Sequence, residues 1–183
     1  KLTWCSFGIF KRLLGNISNN DFIHPSADRY QNVSCRMSID GYSNGINFHR
    51  KETAKILHQH LHTNKISRKK YINEIRNSKV VVSPFGWGEI NVPRDYEVAL
   101  SGAILLKPDI SHIDTWPNIF NADTVVQYKW DLSDLALVTE EILDNYDNYI
   151  QFAIRLQEQF RYYSYGQAGK DEFCKNFLNM VKN

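Results

Sequence analysis

Residues 80–106 read VVVSPFGWGEINVPRDYEVALSGAILL. The three valines at 80–82 form an all-aliphatic run, which is typical of strands that are buried on both faces. Pro93 and Gly102 bound the next segment, and proline in a first turn with glycine after a last turn predicts a helix between them. A second apolar run follows at 103–106. This succession of strand, glycine-containing loop, helix and strand predicts a site for a phosphate-bearing ligand at the carboxyl ends of parallel strands.

Strand-like and helix-like patterns alternate along the rest of the chain, which predicts an α/β fold with a Rossmann-like parallel sheet and helices on both faces. Strands are predicted at residues 2–7, 33–39, 79–83, 103–106 and 124–128, with a loop at 40–47 and helices at 50–60, 67–77 (capped by Ser67) and 93–101. Three more helices follow: one capped by Asp131 or Ser133, one with Tyr149, Phe152, Ala153, Leu156 and Phe160 on one face, and a last one that buries Phe173, Cys174, Phe177, Leu178 and Val181.

The domain organisation expected from this pattern has two parts. Residues 1–145 form a Rossmann-like ligand-binding domain, and residues 146–183 form a helical carboxy-terminal tail that packs on it. The tail exceeds what a small sheet needs, and the chain begins at Lys1 with a strand-like segment. We therefore expect a fragment or a processed chain, with an amino-terminal partner domain that the tail also contacts.

Composition excludes several classes of protein. The 183 residues carry a net charge of +2, which argues against a nucleic-acid partner. The three cysteines are far apart and form neither a zinc spacing nor a disulfide framework, so a reducing, cytoplasmic location is expected. No apolar run is long enough to span a membrane, which leaves peripheral contact at most.

The loop after the valine run contains Gly86, Trp87 and Gly88. Glycines let backbone amides approach a diphosphate, and Trp87 offers a stacking surface; the alternative is a tight connection without a ligand. Arg94 lies in the first helical turn, where its charge opposes the helix dipole, whereas Asp95 complements it. We interpret Arg94 as a contact for phosphate or a carboxylate, with a solvated surface arginine as the alternative.

Two glutamates supply the candidate chemistry. A carboxylate accepts two hydroxyl hydrogen bonds at once, so Glu97 suits the vicinal hydroxyls of a ribose. Glu89, in the loop, suits sugar hydroxyls or the positive charge that develops at an anomeric carbon. His112 follows the strand at 103–106 and is a candidate contact for phosphate or acceptor, or a loop histidine with local hydrogen bonds.

With these residues in place, the region resembles the carboxy-terminal nucleotide-sugar-binding domain of GT-B glycosyltransferases. Glu89 and Glu97 match the Glu-x7-Glu motif of the family 4 type, and the segment EVALSGAILL at 97–106 resembles the one that follows in that family. Arg94-x-x-Glu97 with Gly102 is similar to exostosin-like transferases. The likeness covers residues 60–130 well and the remainder in outline.

The resemblance implies a metal-independent glycosyltransferase of polysaccharide biosynthesis that uses a nucleotide-diphosphate sugar, needs no cofactor, and acts on a glycan or lipid-linked acceptor. It implies that Glu97 holds the ribose, Glu89 faces the donor sugar, and the base lies near Ile66. In family 4 the Gly-x-Gly follows the first glutamate, whereas here it precedes Glu89. The family's Arg and Lys pair for the diphosphate has no clear match, and Lys11 and Arg12 are the nearest candidates.

Several alternatives stay open at this point. Family 4 enzymes retain configuration and exostosin-like ones invert it, and the motif shares features of both. The absence of any Asp-x-Asp agrees with a metal-independent reaction. The domain alone is expected to bind nucleotide without turnover. A non-catalytic nucleotide- or glycan-binding module of the same fold is the second hypothesis. A dinucleotide oxidoreductase is a weaker third, since the third glycine is missing.

Overall fold

The computed structural model describes residues 4–5, 18–26, 28–57, 66–86, 93–113 and 115–182. Its centre is a four-stranded parallel sheet with the order β2-β3-β4-β6. The strands of this sheet are β2 (Gln31–Ser34), β3 (Ser78–Val82), β4 (Ile104–Pro108) and β6 (Val126–Tyr128). A second, two-stranded parallel sheet joins β1 (Trp4–Cys5) to β5 (Thr115–Trp116).

Helices cover both faces of the main sheet, as the sequence predicts. They are α1 (Asn44–Ile56), α2 (Arg68–Arg76), α3 (Pro93–Ser101), α4 (Leu135–Asp144), α5 (Tyr146–Ser164) and α6 (Gln167–Lys182), with a 3-10 turn at Asn19–Asp21. Helices α2, α3 and the second half of α5 share one apolar core with Val81 and Leu105. Helices α1 and α4 share the other core with Val80 and Ile104. Because neighbouring strand residues face opposite cores, the whole run is apolar.

The boundaries of α3 are those predicted from Pro93 and Gly102. Gly102 follows the helix with φ +68°, a left-handed conformation that glycine adopts without strain. A side chain at this position would also place its Cβ 2.4 Å from the carbonyl oxygen of Ile23. Ser67 caps α2, with its hydroxyl accepting a hydrogen bond from the amide of Lys70, as predicted.

Other boundaries differ from the predictions. Strand β2 ends at Ser34 rather than near residue 39, and α1 begins at Asn44, inside the predicted loop. The predicted cap of α4 is wrong, because the helix begins at Leu135 and neither Asp131 nor Ser133 caps it. The Asp131 carboxylate instead accepts a hydrogen bond from the amide of Ser133, within a turn in which Leu132 has φ +64°.

The prediction that α6 buries its apolar side chains is also wrong. Phe177, Leu178 and Val181 are 44%, 53% and 68% exposed, and Cys174 is exposed as well. Helix α6 packs on α5 and not on the sheet. Phe173 is partly buried because its ring stacks on Trp116. A helical hydrophobic pattern indicates that one face of the helix is apolar. In α6 the described residues cover only part of that face.

Helix α5 packs across α3 and β4, with Leu156 and Phe160 fully buried. No helix among the described residues is long and apolar enough to cross a membrane.

Candidate functional site

The candidate site lies where the carboxyl ends of β2, β3 and β4 meet the amino terminus of α3. Gly86 is buried and ends the described part of the loop after β3. Five predicted site residues lie outside the described residues: Lys11, Arg12, Trp87, Gly88 and Glu89. The structure therefore describes Gly86, Arg94, Glu97, Ile66 and His112 of the predicted set.

Glu97 is one turn inside α3 and only 6% exposed. Its carboxylate forms an ion pair with the guanidinium of Arg68, with 2.6 Å between Oε1 and Nη1. The side chain of Arg68, at the start of α2, is 60% exposed. Tyr71 lies beside Glu97 and Arg94, and burial raises the pKa of its hydroxyl. A buried carboxylate whose partner can swing into solvent is available to another hydrogen-bond donor.

Ile66 is half-buried and directly precedes the Ser67 cap of α2. Because Arg68 follows two residues later and reaches Glu97, the structure places Ile66 and Glu97 on the same side of the sheet.

Arg94 points back toward the end of β2, where its Nη2 donates a hydrogen bond to the carbonyl of Arg36. Its Nε and Nη1 are buried and have no hydrogen-bond partner at normal distance among the described residues, while the Tyr71 hydroxyl lies beside the guanidinium. The alternative of a solvated surface arginine is therefore wrong. An unsatisfied buried donor on a charged group costs on the order of 1–3 kcal/mol or more, so these donors are expected to serve a ligand.

A second buried arginine at this edge was missed from the sequence. Arg50 in α1 is 4% exposed, and its Nε donates to the carbonyl of Phe85 at 2.7 Å while its Nη1 donates to that of Ser38 at 2.8 Å. Its guanidinium also lies over the ring of Tyr42, 4.1 Å from the centroid. The signal was present, because Arg50 precedes Ala54 by four positions and so shares its apolar helix face.

Neither Arg50 nor Arg94 forms a salt bridge with a carboxylate of the described residues; the ion pairs found there belong to Arg36, Lys51, Lys55, Arg68 and Lys107. Two buried guanidinium groups without carboxylate partners make this edge of the sheet electropositive. Such a site favours a bound anion.

Asp95 lies in the first turn of α3, where its charge complements the helix dipole as expected, and it has a second role that the sequence did not predict. It is fully buried; one oxygen pairs with Lys107 Nζ at 2.7 Å, and the other accepts a hydrogen bond from the Ser83 hydroxyl at 2.5 Å. These three residues come from α3, β4 and the end of β3. The cluster fixes the start of α3 against the sheet and so positions Arg94 and Glu97.

Two further titratable groups at this edge are neutral at pH 7. Burial, with Arg50 alongside, lowers the pKa of His49 to about 4, and burial raises the pKa of the Cys35 thiol to about 11. Both ring nitrogens of His49 are buried without a hydrogen-bond partner among the described residues, and the ring stacks near Phe85 and Tyr128. Neither group compensates the positive charge of the two arginines.

His112 is exposed and stands edge-on to the indole of Trp130, with ring centroids 5.1 Å apart. Trp130 packs on Phe85 and donates its Nε1 hydrogen to the carbonyl of Asp109 at 2.5 Å. The structure brings His112 to the carboxyl end of β4 but shows no contact with Arg94 or Glu97.

In chemical terms, the described residues supply two buried guanidinium groups without a carboxylate partner, of which Arg94 has two unpartnered nitrogens, and one buried carboxylate for hydroxyl groups. In that part of the chain no cluster of three or more His, Cys, Asp or Glu side chains could hold a metal ion. No protein-family model matches the chain and no curated protein matches it with significance, so a function has to be argued from these residues and their geometry.

Proposed function

We propose that this chain is the donor-binding half of a GT-B glycosyltransferase, which transfers a sugar from a nucleotide-diphosphate sugar to a glycan or lipid-linked acceptor. The observation that carries the proposal is that Glu97 and two buried guanidinium groups lie at the carboxyl ends of parallel strands. Neither guanidinium has a carboxylate partner among the described residues, and Arg94 has two unpartnered nitrogens there. A nucleoside diphosphate carries both groups that such a site recognises, namely a diphosphate and a pair of ribose hydroxyls.

In this proposal Arg50 and Arg94 take the part for which the sequence suggested Lys11 and Arg12. Their positive charge stabilises the diphosphate, and most strongly when the sugar leaves and negative charge builds on the bridging oxygen. Glu97 accepts hydrogen bonds from the ribose hydroxyls. When the ribose binds, Arg68 either leaves the Glu97 carboxylate or shares that carboxylate with the ribose. Glu89, in the loop that begins at Gly86, keeps its predicted role toward the donor sugar.

Titration with UDP, GDP and ADP by calorimetry tests the binding half of the proposal. Glu97→Gln is expected to weaken binding of the preferred nucleotide about 10- to 100-fold, since a charged hydrogen bond contributes roughly 1.5–3 kcal/mol. The matched control is Glu140→Gln on the exposed surface of α4, which should bind like the parent chain. Equal affinity of both variants would remove the ribose role from Glu97.

Donor hydrolysis or transfer, assayed with a longer chain that includes an amino-terminal domain, tests the catalytic half. We expect this domain alone to bind nucleotide without turnover and the longer chain to release nucleoside diphosphate. Binding without release by both would leave a nucleotide-binding module and end the enzyme proposal.

A further inference from the structure

A groove of about 610 Å³ lies between α5 and the segment that follows β5, and Trp116, Asn118, Glu158, Gln159, Tyr162 and Tyr163 line it. We propose that this groove binds a neutral carbohydrate chain. Binding there does not depend on nucleotide binding. The statement that the carbohydrate is the acceptor of the transfer reaction rests on the proposed function.

The groove is separate from the candidate functional site. Gln157, which immediately precedes the groove residues of α5, donates its side-chain amide to the carbonyls of Ala99 and Leu100, near the carboxyl end of α3. Arg94 lies at the other end of that helix, about 8 Å away along its axis. Neither Arg94 nor Glu97 is among the residues that line the groove.

The aromatic walls of the groove are held in place from behind. Trp116 stacks on Phe173 of α6, with centroids 4.8 Å apart and planes within 24°. The hydroxyls of Tyr162 and Tyr163 both donate to the carboxylate of Glu172, at 3.0 and 3.1 Å. Rings fixed before binding lose little conformational entropy when a ligand arrives. Their π faces carry partial negative charge, which attracts the polarised C–H groups of a sugar ring.

Polar groups lie between these rings, which distinguishes the groove from an apolar docking surface. The amides of Asn118 and Gln159 and the carboxylate of Glu158 offer donors and acceptors to sugar hydroxyls. Glu158 lines the groove, Glu172 accepts hydrogen bonds from the hydroxyls of Tyr162 and Tyr163, and both carboxylates are negative, so they oppose uronate and sulfate groups. Aromatic faces, amides and negative charge together fit a neutral sugar chain.

The test uses cellohexaose, maltohexaose, mannohexaose and N-acetylchitohexaose as probes, with binding followed by saturation-transfer NMR and tryptophan fluorescence. At least one probe is expected to bind the parent chain at millimolar concentration or below. Tyr162→Ala, which removes a ring that is 41% exposed, should weaken that binding about tenfold, while Tyr162→Phe keeps the ring and should stay within about twofold. Tyr165→Ala, at 47% exposure directly after the same helix, is the matched control and should bind normally.

Three results would overturn the groove proposal: no probe binds, Tyr162→Ala binds as well as Tyr162→Phe, or Tyr162→Ala changes the oligomeric state in sedimentation, which would make the groove a contact between copies. Asn118→Ala is a second groove variant in case Tyr162→Ala fails to fold, and circular dichroism shows whether each variant is folded. UDP and GDP titrations of the same samples separate the two proposals. Sugar binding without nucleotide binding would contradict only the proposed function. Nucleotide binding without sugar binding would contradict only the groove proposal.

Discussion

The two ends of the central sheet treat buried arginines in opposite ways. At the amino end, Arg29 is 8% exposed and its two terminal nitrogens donate to the carbonyls of Arg76, Ser78, His24 and Ser101, at 2.7, 3.2, 3.4 and 2.8 Å, so that only its Nε has no partner among the described residues. At the carboxyl end, Arg94 donates to one carbonyl and has two unpartnered nitrogens within the described part of the chain.

The difference separates an arginine that stabilises the fold from the arginines that we propose bind a ligand. Arg29 ties the ends of α2 and α3 to the start of β3, and its positive charge compensates the carbonyls that both helices leave unpaired at their carboxyl termini. Arg50 and Arg94 lie at strand ends near a helix amino terminus. Arg50 donates to two carbonyls and Arg94 to only one, and neither has a carboxylate partner among the described residues. Their charge is retained at a cost in stability, which a bound anion would offset.

The largest expected effect is on the stability of the amino end. Arg29→Met should lower the free energy of unfolding by about 3 kcal/mol, because it leaves several buried carbonyls unsatisfied at roughly 1 kcal/mol each. Urea denaturation measures this loss. Arg76→Met, whose side chain is exposed, is the control and should change stability by less than about 0.5 kcal/mol. A loss from Arg29→Met no greater than the control's would contradict the carbonyl-capping role.

The next largest expected effect is at the carboxyl end of the sheet, where one substitution should change nucleotide binding far more than protein stability. Arg94→Met should leave the free energy of unfolding within about 1 kcal/mol of the parent value, because it removes an unpaired charge together with its buried donors. The same change should weaken binding of the preferred nucleoside diphosphate about 10- to 100-fold in calorimetry. If Arg94→Met instead destabilises the protein as much as Arg29→Met does, the two ends of the sheet do not differ in the way described.

The smallest effect concerns pH at the carboxyl end, where protonation of His49 would add a third positive charge. Its pKa is about 4 in the fold and 6.5 when unfolded, so the unfolded chain binds more protons between these values and stability rises with pH across that window. Stability is lost as pH falls below 6.5. From pH 7 to pH 5 we expect a loss of about 1 kcal/mol, discounted for the partial exposure of the ring.

His49→Phe keeps a ring beside Phe85 and Tyr128 and should flatten this part of the pH dependence, as measured by urea denaturation at pH 5, 6 and 7. His24→Phe, at an exposed position, is the control and should keep the parent slope. Identical slopes for the parent chain and His49→Phe would show that this histidine protonates freely in the fold.

Local rules predicted the parts of the fold whose signals lie close together in sequence. Pro93, Gly102 and the Ser67 cap each act within one or two turns, and the helices they bound agree with the structure. The wrong prediction that Asp131 caps α4 is also a local matter, because an aspartate that can cap a helix can equally form a hydrogen bond within a turn. The error at α6 is different, because an apolar helix face does not say how much of it the rest of the chain covers.

The candidate site could be predicted only in part. Glu97 and Arg94 were found because they sit at the start of a helix that follows a buried strand. Arg50 and Lys107 come from positions 44 and 13 residues away from Arg94 along the chain, and their importance lies in which carbonyl or carboxylate they reach. The position of Arg50 on the apolar face of its helix indicates burial, but no local pattern shows which partner such a residue reaches across these distances.

By itself, the sequence determined the alternation of strands and helices, the limits of α3 and the placement of Glu97 near the amino terminus of that helix, because propensity, capping and hydrophobic period are properties of neighbouring residues. Tertiary structure alone decided the state of each charge. It paired Asp95 with Lys107, surrounded Arg29 with carbonyls and left two nitrogens of Arg94 without a partner among the described residues, because the cost of a buried charge depends on the atoms that the fold brings around it.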